Sequence, residues 1–288
     1  MQRLIGVVVL LAGFSAGAVI AQDGPITIKL RKAGPGDTVK ETKTESGKTK
    51  VVISIMGKDE TKDEDTLTKL AFTDEVIEKA AGAAKPTKVK RTYDKAEMTK
   101  SGAKVDLGLD GKIVLIEKKD DAYTYTVDGK DVSGEAADML KKEFATKKSS
   151  SEDDFLPNKP VKVGDTWIVD VAKIAPELAE GGMVIDEKAS KATGKLVKIY
   201  DKAGAKFGVL EIEMDLVVSK LKAAQEIPLK EGSKLMIKIT MDGCVDGTSA
   251  TGGGVMSMKG NLAGEVMGVA LKFGLDMKVE GKTEQVKK

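Results

Sequence analysis

The chain has 288 residues, and its 47 Lys and Arg nearly balance its 45 Asp and Glu, for a formal net charge of +2. Because the charges are so evenly balanced, the protein has no long-range electrostatic field. This argues against a polyanion partner such as nucleic acid. The sequence has no His and a single Cys, Cys244, which excludes Ser-His-Asp and Cys-His catalysis, His-ligated metal sites and intramolecular disulfides. No cofactor or metal is expected, and an apolar content of 41% argues against disorder.

Residues 1–21 have the layout of a secretory signal. Arg3 precedes the apolar run Leu4–Ala21, which ends in small residues. This layout predicts cleavage before Gln22, secretion or a periplasmic location, and no membrane span after cleavage. An uncleaved anchor is the alternative, because a run of 18 apolar residues is marginally long enough to cross a bilayer.

Beyond the signal, apolar residues mostly recur at every second position, with polar residues between them. This alternation, without crossover helices, predicts half-buried antiparallel strands. In one such strand Val89, Arg91 and Tyr93 share a face. The segment 67–84 fits a helix or a strand, and the context favours a strand slightly. Further strands are predicted at Ile26–Arg31, at Val51–Ile55 after a Glu45–Lys48 turn, at Lys88–Met98, and in a hairpin of Ile113–Lys118 with Tyr123–Val127.

The strongest β signal lies in the last third of the chain. The series Met267–Val279 alternates apolar and polar residues without interruption, which corresponds to a strand of roughly 40 Å in a large curved sheet. Leu210–Val218 and Leu235–Met241 form two further apolar series. The apolar phase changes between Met258 and the start of the last series, which predicts a bulge or bend around Ala263–Glu265.

Two short helices are predicted. Ser133 is expected to cap Gly134–Lys147, which carries an apolar stripe, and Val171–Glu180 is a weaker candidate because Pro176 lies inside it. The members of the stripe are Ala136, Ala137, Leu140 and Phe144.

The charged and Ser-rich stretch Lys147–Asp154 predicts a hinge. We therefore expect a signal peptide at 1–21, an N-terminal β-rich lobe at 22–148 that ends in a helix, and a C-terminal β lobe at 149–288. The fold class is mainly β: long antiparallel strands form a curved sheet or half-barrel, in two lobes or one long sheet, with one or two short packed helices.

One segment, FLPNKPVKVGDTW at 155–167, stands out. It resembles an LPxxPVxVGDxW segment of a family of uncharacterised secreted bacterial β-rich proteins, and KVKRTYDKA at 88–96 is also similar to members of that group. The resemblance implies no established activity. The long antiparallel strands are, more remotely, similar to the half-barrel of periplasmic lipoprotein carriers. The matching positions are Leu156, Pro157, Pro160, Val161, Val163, Gly164, Asp165 and Trp167.

Within this motif, Gly164 permits a turn, Asp165 can bond nearby backbone amides, and Trp167 enters a strand. The segment is either a structural turn that places the only Trp in the core or the rim of a ligand groove. The groove itself is expected on two apolar strand faces, where Met provides an adaptable surface for acyl chains. Its candidate residues are Leu210, Ile212, Met214, Leu216, Met267, Val269, Leu271, Phe273, Leu275 and Met277.

The leading functional hypothesis is a non-enzymatic binding or interaction protein of the cell envelope, whose partner is a lipid, another hydrophobic ligand or an envelope protein. A structural envelope protein is one alternative. A hydrolase that uses carboxylates, for example Glu211, Glu213 and Asp215, is another. An open groove favours binding, a sealed apolar face favours a structural core, and a raised carboxyl pKa in a concave pocket favours the hydrolase.

Overall fold

A computed structural model describes residues 24–81, 83, 85–120, 122–144, 152–222 and 226–286. The predicted signal peptide at 1–21 lies outside the described residues. So does 145–151, which contains most of the predicted hinge and the boundary at 148. The signal, the hinge and the division into two lobes therefore stay predictions.

Long antiparallel strands form one open sheet of 14 strands within the described residues. The mainly β fold predicted from the alternation is thereby confirmed. The strands are β1 (Thr38–Ile55), β2 (Lys58–Glu78), β3 (Lys88–Lys100), β4 (Ala103–Val105), β5 (Ile113–Lys119), β6 (Ala122–Val127), β7 (Lys130–Asp131), β8 (Thr166–Ile168), β9 (Met183–Lys202), β10 (Ala205–Lys222), β11 (Glu226–Pro228), β12 (Lys234–Cys244), β13 (Gly252–Val266) and β14 (Val269–Val286). Their order is β7-β6-β5-β3-β2-β1-β14-β13-β12-β10-β9-β8, with β4 beside β3 and β11 beside β10.

Two-residue turns join many of these strands. Both residues of each turn have a positive φ, the type I′ geometry whose twist matches that of the flanking strands. Turns of this kind are Met56-Gly57, Ser101-Gly102, Asp128-Gly129, Ala203-Gly204 and Met267-Gly268.

The turn between β13 and β14 corrects two predictions. Val266 pairs with Val269 across it, so the apolar residues are at even positions in β13 and at odd positions in β14. The change of phase is therefore a hairpin, and β13 passes through Ala263–Glu265 in unbroken register with β14. Met267 lies in the turn with its side chain 89% exposed, so it is not the first residue of the long strand.

The predicted turn at Glu45–Lys48 is also wrong. β1 runs straight through it, and Gly47 pairs with Thr66 on β2 and with Met277 on β14. A Cβ at Gly47 would come within 3.0 Å of the Thr66 hydroxyl, so this glycine serves close strand packing and makes no turn. The ambiguous segment after residue 67 is strand as far as Glu78, as the context favoured.

Two short α-helices, α1 (Gly134–Glu143) and α2 (Val171–Glu180), and a 3-10 turn at Glu152–Phe155 complete the described fold. α1 ends at Glu143, before the predicted end at Lys147. The apolar stripe predicted for α1 is buried, but the Ser133 side chain makes no capping hydrogen bond, because the positive φ of Gly134 turns the chain at the cap. In α2 the Asp170 side chain accepts a hydrogen bond from the Ala172 amide, and this cap supports the helix despite Pro176. Neither of these helices, nor any other helical stretch in the described ranges, is long and apolar enough to cross a membrane.

Two apolar cores lie along the sheet. The larger core involves β9, β10, β12, β13 and β14 and includes α2 and Ile28 from the N-terminal segment. The smaller core involves β2, β3, β5 and β6 and includes α1. Between them, β1 pairs with β2 over its whole length and with β14 over almost all of it, so a continuous ladder of hydrogen bonds connects the two cores.

Candidate functional site

The four groove candidates on β10 are core residues. Leu210, Ile212, Met214 and Leu216 are between 0% and 5% exposed and pack in the core that contains α2 and Trp167. A cavity beside Leu210 has a volume of only about 40 Å³, room for little more than a water molecule. This part of the predicted groove is therefore filled by the protein's own side chains.

The candidates on β14 are placed differently. Val269, Leu271, Leu275 and Met277 are half-buried, whereas Phe273 is buried. On the neighbouring strand β1, Val51 lies opposite Phe273 and Ile53 lies opposite Leu271, and both are half-buried. Together they form a two-strand surface that we call the apolar strip: Val51, Ile53, Val269, Leu271, Phe273, Leu275 and Met277.

The apolar strip has one apolar edge and one charged edge. On β13, Met258 lies opposite Met277 and Leu262 opposite Phe273, so the strip continues the larger core. On β2, Lys62 lies opposite Val51 and Glu60 opposite Ile53. The nine β14 residues from 269 to 277 rise roughly 30 Å along the strand. The strip is therefore a long, narrow, partly accessible apolar surface beside a polar border.

The strip ends at two neighbouring hairpin tips. Ser54 pairs with Ala270, so the turns Met56-Gly57 and Met267-Gly268 lie side by side. The side chains of Ile55, Met56 and Met267 are 51%, 98% and 89% exposed. Met267, predicted as a groove residue, is thus an exposed residue of a hairpin tip at the end of the strip.

A shallow cavity of about 360 Å³ lies beside the same strands. Val52 and Lys272, which line it, are out of phase with Val51, whereas Phe273 of the apolar strip also contributes to the lining. The lining mixes apolar residues with Lys50, Lys272, Glu231 and Asn261, so the cavity is less apolar than the strip, which is the better candidate for an apolar ligand.

The motif residues build a turn that positions the Trp. Gly164 has a φ of 92°, and its amide donates to the Leu196 carbonyl on β9, while the Asp165 carboxylate accepts from the Lys162 amide. The indole of Trp167 is buried and donates to the Phe155 carbonyl at 2.8 Å. These contacts are typical of a structural turn. Gly164, Asp165 and Trp167 all lie away from the apolar strip.

The proposed acid–base residues of β10 are not gathered into a site. Glu213 forms a salt bridge with Lys238 at 2.9 Å, and Asp215 forms one with Lys234 at 3.5 Å. All four partners are exposed on the face opposite the buried β10 residues. They therefore behave as cross-strand ion pairs on a solvated surface.

The smaller core contains a buried charge cluster that the sequence analysis did not identify. Arg91, 2% exposed, makes two 2.7 Å hydrogen bonds to Asp74, directly opposite on β2, and bonds of 2.7 and 2.8 Å to Glu143 at the end of α1. The guanidinium stacks 3.7 Å from the centre of the Phe72 ring. The sequence did contain an indication of this cluster, because Arg91 lies between Val89 and Tyr93 on an apolar strand face. An Arg buried on such a face requires carboxylate partners.

Glu41 lies near this cluster on β1, opposite Phe72. Burial, followed by the nearby negative charge of Asp74, raises the pKa of Glu41 to about 8. It accepts no hydrogen bond from the described part of the chain. A hydrolase with two carboxylates needs a second ionised group that is free to act, and Asp74 and Glu143 are both engaged with Arg91. The hydrolase therefore stays a hypothesis.

Among the described ranges, no group of three or more Cys, Asp or Glu side chains is arranged to hold a metal ion. A search against protein-family models finds no match, and a search of curated proteins finds no significant relative. The function therefore has to be argued from the geometry of the chain itself.

Proposed function

We propose that this protein is a secreted or periplasmic, non-enzymatic binding protein whose ligand is a hydrophobic molecule with an acyl chain. The single observation that carries the proposal is the apolar strip, whose residues other than Phe273 are half-buried where the equivalent β10 surface is fully buried. Apolar surface left partly accessible next to a packed core is a recurrent property of ligand and partner sites.

The shape and chemistry of the strip favour a chain-like ligand. It is only two strands wide, roughly 30 Å long, and bounded on one edge by Lys62 and Glu60. An extended acyl chain can lie along β1 and β14 with its polar end at the charged border. The side chains of Leu271, Leu275 and Met277 are unbranched or branched beyond Cβ, so they can adjust to such a chain.

A fluorescent fatty acid, titrated into the exported chain that begins at Gln22, tests the proposal. We expect saturable binding, and we expect Leu271→Lys to weaken it at least tenfold, because an ammonium group would be placed in the middle of the apolar strip. The matched control is Ile113→Lys. Ile113 is 48% exposed at the start of β5, away from the strip, and its replacement adds the same charge.

Thermal unfolding of each variant, followed by circular dichroism, shows whether the fold is retained. Equal binding by wild type, Leu271→Lys and Ile113→Lys would contradict the assignment to the strip. No signal from the wild type at saturating probe would reject ligand binding altogether and favour the structural alternative.

A further inference from the structure

The two hairpin tips at the end of the apolar strip carry an unusual residue. Met56 and Met267 occupy the first position of type I′ turns, with φ of 51° and 50°. This conformation is uncommon for residues other than Gly, Asn and Asp, and a long apolar side chain gains nothing from it. Both side chains are almost fully exposed, at 98% and 89%, so packing does not compensate for the strain.

The tips form one small convex apolar surface. The strands that carry them, β1 and β14, are hydrogen-bonded neighbours about 4.8 Å apart, and Ile55 adds a third exposed side chain. Three side chains of this size present on the order of 300 Å² of apolar area. A standard protein–protein interface requires about 800 Å² on each partner. The surface is therefore too small for a stable protein partner but sufficient for shallow insertion into an apolar layer.

The charges around the tips largely cancel. Lys230 and Glu265 form a salt bridge at 3.1 Å, and Lys58 and Asp59 carry opposite charges beside the first tip. Lys58 follows the first tip directly, where its stem can lie along an apolar layer while the ammonium stays in water. Such surroundings do not select for a strongly charged partner, and they suit the boundary between lipid headgroups and acyl chains.

We propose that Met56 and Met267 insert into the surface of a lipid bilayer and hold the open end of the apolar strip against it. The small apolar area of the tips and their balanced charges identify the bilayer as the occupant, and the strip ends where the tips lie. The role of the strip in this inference rests on the proposed function, whereas the docking of the tips does not.

Sedimentation with phosphatidylcholine vesicles tests the docking. We expect the exported chain from Gln22 to bind, and we expect Met56→Asn with Met267→Asn to weaken binding at least tenfold. Asn-Gly is the favoured sequence for a type I′ turn, so the double variant should unfold at the same temperature as the wild type or higher. Loss of binding then cannot be attributed to loss of the fold.

The matched control is Ala203→Asn, which introduces Asn at the same turn position of the exposed β9–β10 tip. It should leave vesicle binding unchanged. Three results would overturn the proposal: no binding of the wild type to vesicles, equal binding by the double variant, or binding that appears only with anionic lipid and survives the double substitution. The last result would assign the attraction to surface lysines.

The fluorescent fatty acid separates this inference from the proposed function. Vesicle binding that depends on the two methionines, without fatty-acid binding, supports docking and rejects the ligand. Fatty-acid binding without vesicle binding rejects docking and retains the ligand. The double Asn variant should bind the probe as the wild type does, because both substitutions lie outside the apolar strip.

Discussion

At Glu41 the sheet places a carboxyl group near two others, those of Asp74 and Glu143, with Arg91 between the latter pair. Arg91 supplies a planar fork of donors to both ionised partners, which Lys could not do. Among the described residues Glu41 has no such partner, and burial keeps its pKa near 8. It is therefore largely protonated at neutral pH.

This pKa predicts how stability depends on pH. Glu41 has an ordinary pKa of 4.5 and a folded-state pKa of about 8, so the folded protein binds the additional proton between these values. The contribution of Glu41 to the free energy of unfolding is complete below pH 4.5 and is lost as the pH rises towards 8. The pKa of Glu143 is lowered by Arg91, so the contribution of Glu143 has the opposite sign and is lost as the pH falls below its ordinary value of 4.5.

Glu41→Gln should therefore flatten the decline in stability across this range. Urea midpoints measured at about pH 5 and about pH 8.5 should differ more in the wild type than in the variant. Parallel pH dependence in both proteins would contradict the raised pKa.

The sequence could predict only part of this cluster. The alternation of Val89, Arg91 and Tyr93 places a charged residue on an apolar face, and burial follows from that pattern. The partners could not be predicted, since Asp74 depends on the register between β2 and β3 and Glu143 on how α1 packs.

At the scale of single elements, Trp167 depends on a glycine in the next strand. A Cβ at Gly194 of β9 would lie 2.1 Å from the Trp167 ring, so the indole packs directly on the glycine backbone. The ring also needs the Phe155 carbonyl as acceptor for its N–H. Any side chain at 194 must push the indole out of this position.

Gly194→Ala should destabilise the protein by about 1–3 kcal/mol and shift the emission of its single Trp to longer wavelength. Gly274→Ala is the control, because the nearest atom to a Cβ there is 3.7 Å away, an ordinary contact. Urea unfolding followed by fluorescence measures both effects. Similar changes in the two variants would show that the loss of glycine itself, and not the contact with Trp167, is responsible.

Periodicity located both helices and the strands β3, β5, β6, β10, β12 and β14. It was wrong inside β1, where Glu45–Lys48 makes no turn, and at Ile26–Arg31, which forms only isolated bridges. Alternation locates β14 because its odd positions face the core along most of its length. It could not locate the turn at Met267, since Met is apolar and continues the pattern while its backbone reverses direction. The sequence feature that indicates this turn is Gly268, the glycine directly after Met267. The turns Met56-Gly57 and Ala203-Gly204 have the same feature.

At the scale of the whole molecule, the two cores are joined through β1, which pairs over its full length with β2 and over nearly its full length with β14. A disturbance in the smaller core should therefore be detected in the larger one. Arg91 lies in the smaller core, and Trp167, the only Trp, lies in the larger. The chain thus carries its own probe of cooperativity.

Arg91→Met should leave the buried Asp74 and the half-buried Glu143 unpaired and cost about 3–5 kcal/mol. If the sheet unfolds as one unit, the Trp167 fluorescence midpoint shifts together with the far-ultraviolet circular dichroism midpoint. Lys238→Met, which breaks the exposed pair with Glu213, should cost no more than about 1 kcal/mol. A fluorescence midpoint that stays in place while part of the dichroism is lost would show that the cores unfold separately.

The order of the strands is the part of the fold that the sequence could not reveal. Periodicity predicts which face of a strand is buried, but it carries no information on its neighbours. That β1 lies between β2 and β14 depends on contacts between distant parts of the chain, such as the hydrogen bond between Gln285 and Asp37.

This pairing of the first long strand with the last has a consequence for biosynthesis. Thr38 pairs with Val286, so β1 can be hydrogen-bonded on one side only until β14 has been synthesised. Contacts so distant in sequence form slowly. The ladder that joins the two cores is therefore the last part of the described sheet to be completed as the chain is synthesised.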